Sequence, residues 1–317
     1  MSKVEIKKIN SGEIKEVVGN FLVTKSEVLT AVNGNEFLTL TLSDGKLEMI
    51  ARLFNFTNGF KPEPGEVVYI DGIVNEWKGS LSIKLNSLVP SKMLPLEFKK
   101  HGPNTPEECL SKLLGFVDVL PESELRCLTF NLIESNKESF LTAPAAISKH
   151  HAYEGGVAQH TLEVALSAIN EVKISNEAAK LNLDIALTTC GAILHDIGKI
   201  RCYFMNGEVP EMTTAGKFKD HIAEGLLMLN EKAFELGIDR TQEWFMKLEH
   251  IILSHHGKLE WGSPVAPCFP EAYIIHQADM NSSRIVSMQE SINEINGEWG
   301  TKRDWMFGSY LYAGCNS

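Results

Sequence analysis

The sequence predicts a two-part chain, a small five-stranded β-barrel followed by an all-α domain. Apolar residues alternate with polar ones up to about residue 90, then recur at helical spacing beyond about residue 107. Between the two lies "VPSKMLPLEFKKHGPNTPEE", with four prolines and few periodic apolar positions. It reads as a linker over 91–106, leaving 1–90 as the barrel and 107–317 as the helical domain.

The strands follow from the alternation. An opening strand lies around Ile14–Thr30. In "FLTLTLSDGKLEMIARLF", Leu38, Leu40 and Leu42 alternate with Thr39 and Thr41, and Asp44-Gly45 then turns the chain. After the turn Leu47, Met49, Ala51 and Leu53 alternate with Glu48, Ile50, Arg52 and Phe54. A second hairpin, "EVVYIDGIVNEWKGSLSIKLNSL", turns at Lys78-Gly79 and puts Leu81, Ile83 and Leu85 on one face. About five strands of this size suit a closed barrel of the OB type, which often binds oligonucleotides across one face. Arg52, Phe54, Trp77 and Lys84 fall on or near its solvent side. There, aromatics can stack bases and cations can follow phosphates, or the residues can simply be solvated. Helical spacing recurs near 107–119, 122–140, 156–172, 177–197, 217–236, 241–256 and 270–295, with Pro and Gly between the segments.

Charge and cysteine content narrow the function. The net charge of −11 argues against a generic nucleic-acid-binding protein. Residues 1–90 hold 10 Lys/Arg against 11 Asp/Glu, so the acidity sits almost wholly in residues 91–317. An acidic domain still accepts a polyanion where divalent cations reverse the local field. The six cysteines contain no C-x-x-C pair, which argues against a zinc ribbon or disulfide framework and for the reducing cytoplasm. No apolar run approaches the ~20 residues that span a bilayer, and "MSKVEIKKIN" lacks a secretory apolar core. No membrane partner is expected.

The chemistry is concentrated in the helical half. "AILHDIGKI" sets His195 beside Asp196 at the end of an apolar run. His160 lies in "GGVAQHTLEVAL", His221 in "KFKDHIAEGLLML", His255 and His256 at the end of "LEHIILSHHG", and Asp279 in the largely apolar "EAYIIHQADMNSS". A carboxylate in such surroundings needs a partner. Neutral imidazoles and carboxylates are the ligands of hydrolytic metal sites, and one carboxylate shared by two ions makes a clamp that activates water. The ordered set H…HD…H…HH…D on separate helices points to a metal centre. His256 is either a ligand or a group orienting its neighbour, since adjacent helical residues point about 100° apart. Lys199 is either a phosphate contact or a lysine at a helix end. His151 either meets the substrate, protonates a leaving group, or packs. His250 and His276 are read as structural.

This set resembles the HD-domain metal-dependent phosphohydrolases. The strings "HHAYEGGVAQHT", "AILHDIGKI", "DHIAEG", "LSHHGKLEWGSP" and "EAYIIHQAD" are similar to the YhaM-type 3′–5′ exoribonuclease branch, which joins an OB-fold to an HD domain. The resemblance implies one ion on His160, His195, Asp196 and Asp279. It implies a second on His221, His255 and His256 bridged by Asp196, with Mn²⁺ as both ions. It further implies stepwise 3′–5′ hydrolysis of single-stranded RNA, possibly DNA, to 5′-mononucleotides. After Asp279 the chain departs from the branch: "MNSSRIVSM" replaces an Asn-Leu-Asp-Ala-Lys kind of stretch, and Arg284 stands in for that lysine's charge. The tail "MFGSYLYAGCNS" is also unlike the branch. The alternative is an HD phosphohydrolase or cyclic-nucleotide phosphodiesterase acting on small nucleotides. A cyclic-dinucleotide enzyme is disfavoured because no Gly-Tyr-Pro follows the histidine pair. RNA is the favoured partner over DNA, and self-association is left open.

Overall fold

The computed structural model describes residues 4–314 except 32, 58, 78, 79, 101, 149, 294 and 296. The expected turn at Lys78-Gly79 and the side chain of Trp77 lie outside the described residues. Contacts divide the chain into two units. The first comprises Met1–Lys100, Asn206–Val209 and Met288–Ser317; the second comprises His101–Met205 and Pro210–Ser287.

The first unit opens with a short helix, α1 (Ile6–Asn10), that alternation does not announce. Its Ile6 and Ile9 are buried in the barrel core, and the Ile6 N–H donates to Asp44 Oδ2 at 2.7 Å. Then come β1 (Glu16–Thr30), β2 (Glu36–Ser43), β3 (Glu48–Phe54), β4 (Val67–Trp77) and β5 (Ser80–Pro90). They close in the order β1-β2-β3-β5-β4, with β3 and β5 parallel and the other pairs antiparallel. That is the OB-fold predicted from the alternation. Closure depends on the length of β1. Its first half pairs with β4 and its second with β2, and the register shifts between Val23 and Lys25 where the strand changes partner. Of the inward set expected from period two, Leu38, Leu40, Leu42, Met49, Ala51, Ile83 and Leu85 are buried, while Leu47, Leu53 and Leu81 are half-buried against the same core.

The expected linker is partly barrel. A 3-10 turn at Pro95–Phe98 buries Phe98 against Leu22 and Val67, so the segment to Lys100 groups with the first unit. Met288–Ser317 also falls in that unit, whereas the sequence reading runs the helical domain to residue 317.

The second unit is built on α2 (Pro106–Asp118), α3 (Glu124–Glu134), α4 (Lys137–Thr142), α5 (Gly156–Ala178), α6 (Ile185–Leu194), α7 (Lys199–Cys202), α8 (Thr214–Glu235), α9 (Glu243–Ser254) and most of α10 (Pro270–Asn293). α2 starts on a capping box, Thr105 with Glu108, and has Pro106 in its first turn. α6 is buried from Leu187 to Leu194 and packs on α3, α5 and α9. A β-hairpin interrupts the helices, β6 (Tyr203–Asn206) paired with β7 (Val209–Met212). Its turn is Gly207-Glu208, with Gly207 at φ 59°, a left-handed first turn position that suits glycine and matches strand twist. Among the described residues no helix is long and apolar enough to cross a membrane.

Candidate metal centre

α6 ends at Leu194, and the chain then turns tightly. Ile197 N–H donates to Leu194 O, Lys199 N–H to Asp196 O and Arg201 N–H to Gly198 O. His195 and Asp196 lie in this turn and both point into the interior, each 1% exposed. Close approach by α8 requires Gly198. A Cβ there would lie 1.9 Å from His221 O and 2.4 Å from Gly225 N, so no other residue lets α8 bring His221 this near.

Asp196 is the centre of the arrangement. Its Oδ2 lies 3.1 Å from His160 Nε2 and 3.3 Å from His195 Nε2, and Asp279 Oδ1 lies 3.1 Å from the same His160 nitrogen. Its Oδ1 lies 3.4 Å from both His221 Nε2 and His255 Nε2. Thus one carboxylate faces two donor sets. One is His160, His195, Asp196 and Asp279; the other is His221, His255 and His256. Both His255 and His256 reach the second set from the C-terminal end of α9, just beyond Ser254.

The second nitrogens of the rings are all engaged. His195 Nδ1 donates to Ala192 O at 2.7 Å, His255 Nδ1 to Ile252 O at 2.8 Å and His256 Nδ1 to Trp261 O at 2.9 Å. His221 Nδ1 donates to Asp220, and His160 Nδ1 to Ser282 Oγ at 3.2 Å. A proton held on Nδ1 leaves the Nε2 lone pair free for a cation, and fixes the ring plane. Meanwhile Asp196 Oδ1, His221 Nε2 and His255 Nε2 are buried without a hydrogen-bond partner. Unpaired buried polar atoms of this kind are costly unless something is bound. Donor atoms sharing an ion at ~2.1 Å stand roughly 3.0–3.4 Å apart, which the separations here match. The residues fit a divalent cation.

Electrostatics agree with the geometry. Burial pushes His160 toward neutrality, but hydrogen bonds to Asp196 and Asp279 outweigh it and raise its pKa to about 9. Burial opposes ionisation of Asp196, yet Lys199 and His195 hold it well below the usual carboxylate range. Burial lowers His255 to about 4 and also lowers His256, so both offer lone pairs at neutral pH. A cation must displace the His160 proton, which is bound below about pH 9 and absent above it. Divalent-ion affinity is therefore expected to fall about tenfold per unit as pH drops from that value, with proton release on uptake. Calorimetric titration in buffers of different ionisation enthalpy measures that proton.

The other sequence candidates divide. Lys199 Nζ lies 2.6 Å from Asp196 Oδ2, and the residue belongs to the single turn of α7. His151 is buried beside His160, ring centroids 5.4 Å apart; its Nε2 donates to Glu163 Oε1 at 3.1 Å and its Nδ1 has no partner. Arg52 and Lys84 are register partners across β3 and β5, and Phe54 is half exposed and stacked on Phe37 at 5.8 Å. Trp77 joins that strand order by its backbone alone, its side chain lying outside the described residues. Arg284 is on α10, with its guanidinium carbon 5.4 Å from the Trp261 ring centre. His276, read as structural, donates from Nδ1 to His255 O at 2.7 Å.

Sequence reasoning missed the groups behind the ligands. Glu163 accepts from His151, from Gln159 at 2.7 Å and from Ser282 Oγ at 2.6 Å, and Ser282 in turn accepts from His160. Burial opposes its ionisation, but the bond from His151 leads the donors that hold its pKa at about 2. The signal is spacing: Glu163 follows His160 by three residues and Ser282 follows Asp279 by three, one helical turn in each case. Glu163→Gln is expected to weaken divalent-ion affinity about 10–100-fold, read by competition with a metallochromic chelator.

Residues 157–281 match the family model described as the HD domain. Over 294 residues the chain is 31% identical to the "3′-5′ exoribonuclease YhaM" of Halalkalibacterium halodurans, covering 89% of this chain and 88% of that protein. The chain belongs to the YhaM family. A second member, from Shouchella clausii, is 30% identical over 311 residues, 93% of each chain. Among solved structures, the second OB-fold domain of replication protein A from Methanococcus maripaludis is similar at 18% identity and a TM-score of 0.20, over 23% of this chain and 81% of that one.

Proposed function

We propose that this chain is a metal-dependent 3′–5′ exoribonuclease that shortens single-stranded RNA to 5′-mononucleotides with two Mn²⁺ ions. The observation that carries the reading is Asp196, a buried carboxylate with one oxygen toward each of two histidine sets, in a family whose members are named for that activity. One ion would be held by His160, His195, Asp196 and Asp279, the other by Asp196, His221, His255 and His256. Ions bound there supply a polarised phosphate and an acidified water at neutral pH.

The chain's own groups do the rest. Lys199, seated against Asp196, offers an ammonium to a non-bridging phosphate oxygen. Burial lowers the pKa of His151, so near pH 7 its Nδ1 accepts a hydrogen bond. It suits a substrate hydroxyl better than protonation of a leaving group. On the barrel, Arg52 and Lys84 lie side by side as like charges that a phosphodiester backbone relieves, and Phe54, backed by Phe37, offers a face to a base. Trp77 and Arg284 are proposed as further nucleic-acid contacts, each within its own unit. The scattered cysteines support a cytoplasmic location. Nothing favours the small-nucleotide alternative.

A time course on 5′-labelled single-stranded RNA with Mn²⁺ tests the reading. Stepwise shortening from the 3′ end with release of 5′-mononucleotides is expected. Internal cuts, or turnover of mononucleotides or cyclic dinucleotides far above that of oligomers, would overturn it.

A further inference from the structure

Trp261 stands beside the second donor set and has no part in it. It closes the 3-10 turn Leu259–Trp261, immediately after His255 and His256, and its backbone carbonyl accepts from His256 Nδ1 at 2.9 Å. That bond ties the position of the turn to the position of a candidate ligand. The ring itself remains 38% exposed, although an indole gains by burial. Two cations attend it. Lys258 Nζ is 4.4 Å from the ring centre, and the Arg284 guanidinium carbon 5.4 Å. Arg284 reaches it from α10, five residues beyond Asp279, and Lys258 follows His256 by two residues. Lys258 has only an exposed contact with Glu260 at 3.5 Å, and Arg284 makes no ion pair among the described residues. In a domain this acidic, an exposed indole flanked by two such cations is the composition of a nucleotide subsite rather than of a solvated surface.

We propose that Trp261 is the stacking platform for the base of the 3′-terminal nucleotide, with Lys258 and Arg284 taking the adjoining phosphate. This deepens the exonuclease reading and rests on it. A base stacked on an aromatic ring is held more firmly than an exposed lysine over the same ring, so the base displaces Lys258. The ammonium so released stays within reach of the backbone. Every base has a π-face, so the platform seats any terminal base without reading its identity. It gives affinity for an unpaired end, because a paired terminal base is already stacked on its neighbour.

The test compares wild type, Trp261→Ala and Trp261→Phe on single-stranded RNA ending either in adenosine or in an abasic ribose, scored on release of the first nucleotide. On adenosine ends Trp261→Ala is expected to raise KM about tenfold with kcat changed less than about twofold, and Trp261→Phe to restore most of it. On abasic ends wild type and Trp261→Ala should coincide. An equal loss on both ends, or a loss confined to kcat, would mean that the turn only positions His256, and would overturn the proposal. A second readout needs no turnover. In an Asp196→Asn background, an oligomer ending in 2-aminopurine should be quenched on binding, and adding Trp261→Ala should abolish the quench. If wild type leaves RNA intact the exonuclease reading fails, and this quench alone then decides the base contact: present it stands, absent it falls.

Discussion

Asp196→Asn is expected to lower RNA hydrolysis by at least ~10³-fold while RNA binding is largely kept. The amide is isosteric but carries no charge, and one of its two arms is a donor that cannot face a lone pair or a cation. Both donor sets lose their shared member at once, since Oδ2 serves His160 and His195 and Oδ1 serves His221 and His255. A metal centre supplies several kcal/mol of transition-state stabilisation, and each ~1.4 kcal/mol is tenfold in rate. The barrel face with Arg52, Lys84 and Phe54 is untouched. Single-turnover decay and filter binding on the same RNA separate the two effects. Wild-type turnover in this variant would refute the site.

Gly198→Ala is expected to be nearly as damaging by a different route. The added methyl would meet backbone atoms of α8, His221 O at 1.9 Å and Gly225 N at 2.4 Å, where no rotamer offers relief. Overpacking typically costs ~1–3 kcal/mol, and contact with backbone puts this case at the upper end. For a domain of this size that corresponds to roughly 6–10 °C in Tm. Because α8 carries His221, displacement of the helix should also weaken the second donor set more than the first. A thermal melt with and without Mn²⁺ shows both, as a lower Tm and a smaller ion-induced rise.

What sequence alone could reveal follows from which forces are local. Barrel strands are legible because period two is imposed on every residue, and Leu38 to Leu42 and Met49 to Ala51 obey it. Helix breaks are less so. The segment 122–140 has one periodicity but two helices, because Ser135 and Asn136 turn their side chains back on the carbonyls of Asn131 and Leu132 and end α3. The segment 177–197 likewise divides. Asn176 donates to Leu183 O and accepts from Leu183 N–H, folding the chain back before Asp184 caps α6. The hairpin turn at Gly207-Glu208 is a signal present in the sequence and passed over amid helical spacing. Ligand candidates stand out because ionisable groups in apolar runs need partners. Their mutual placement does not, since it depends on Gly198 meeting α8 and on the break at Asp220, where a φ of 64° inside α8 turns the carboxylate onto His221.

The most direct measurement is Mn²⁺ stoichiometry by titration calorimetry for wild type, His221→Ala and Asp196→Asn. A centre with two sets bridged by Asp196 predicts two ions in wild type, one tightly held ion after loss of His221, and neither held tightly after loss of the bridging carboxylate. Two tight ions in Asp196→Asn would contradict the account.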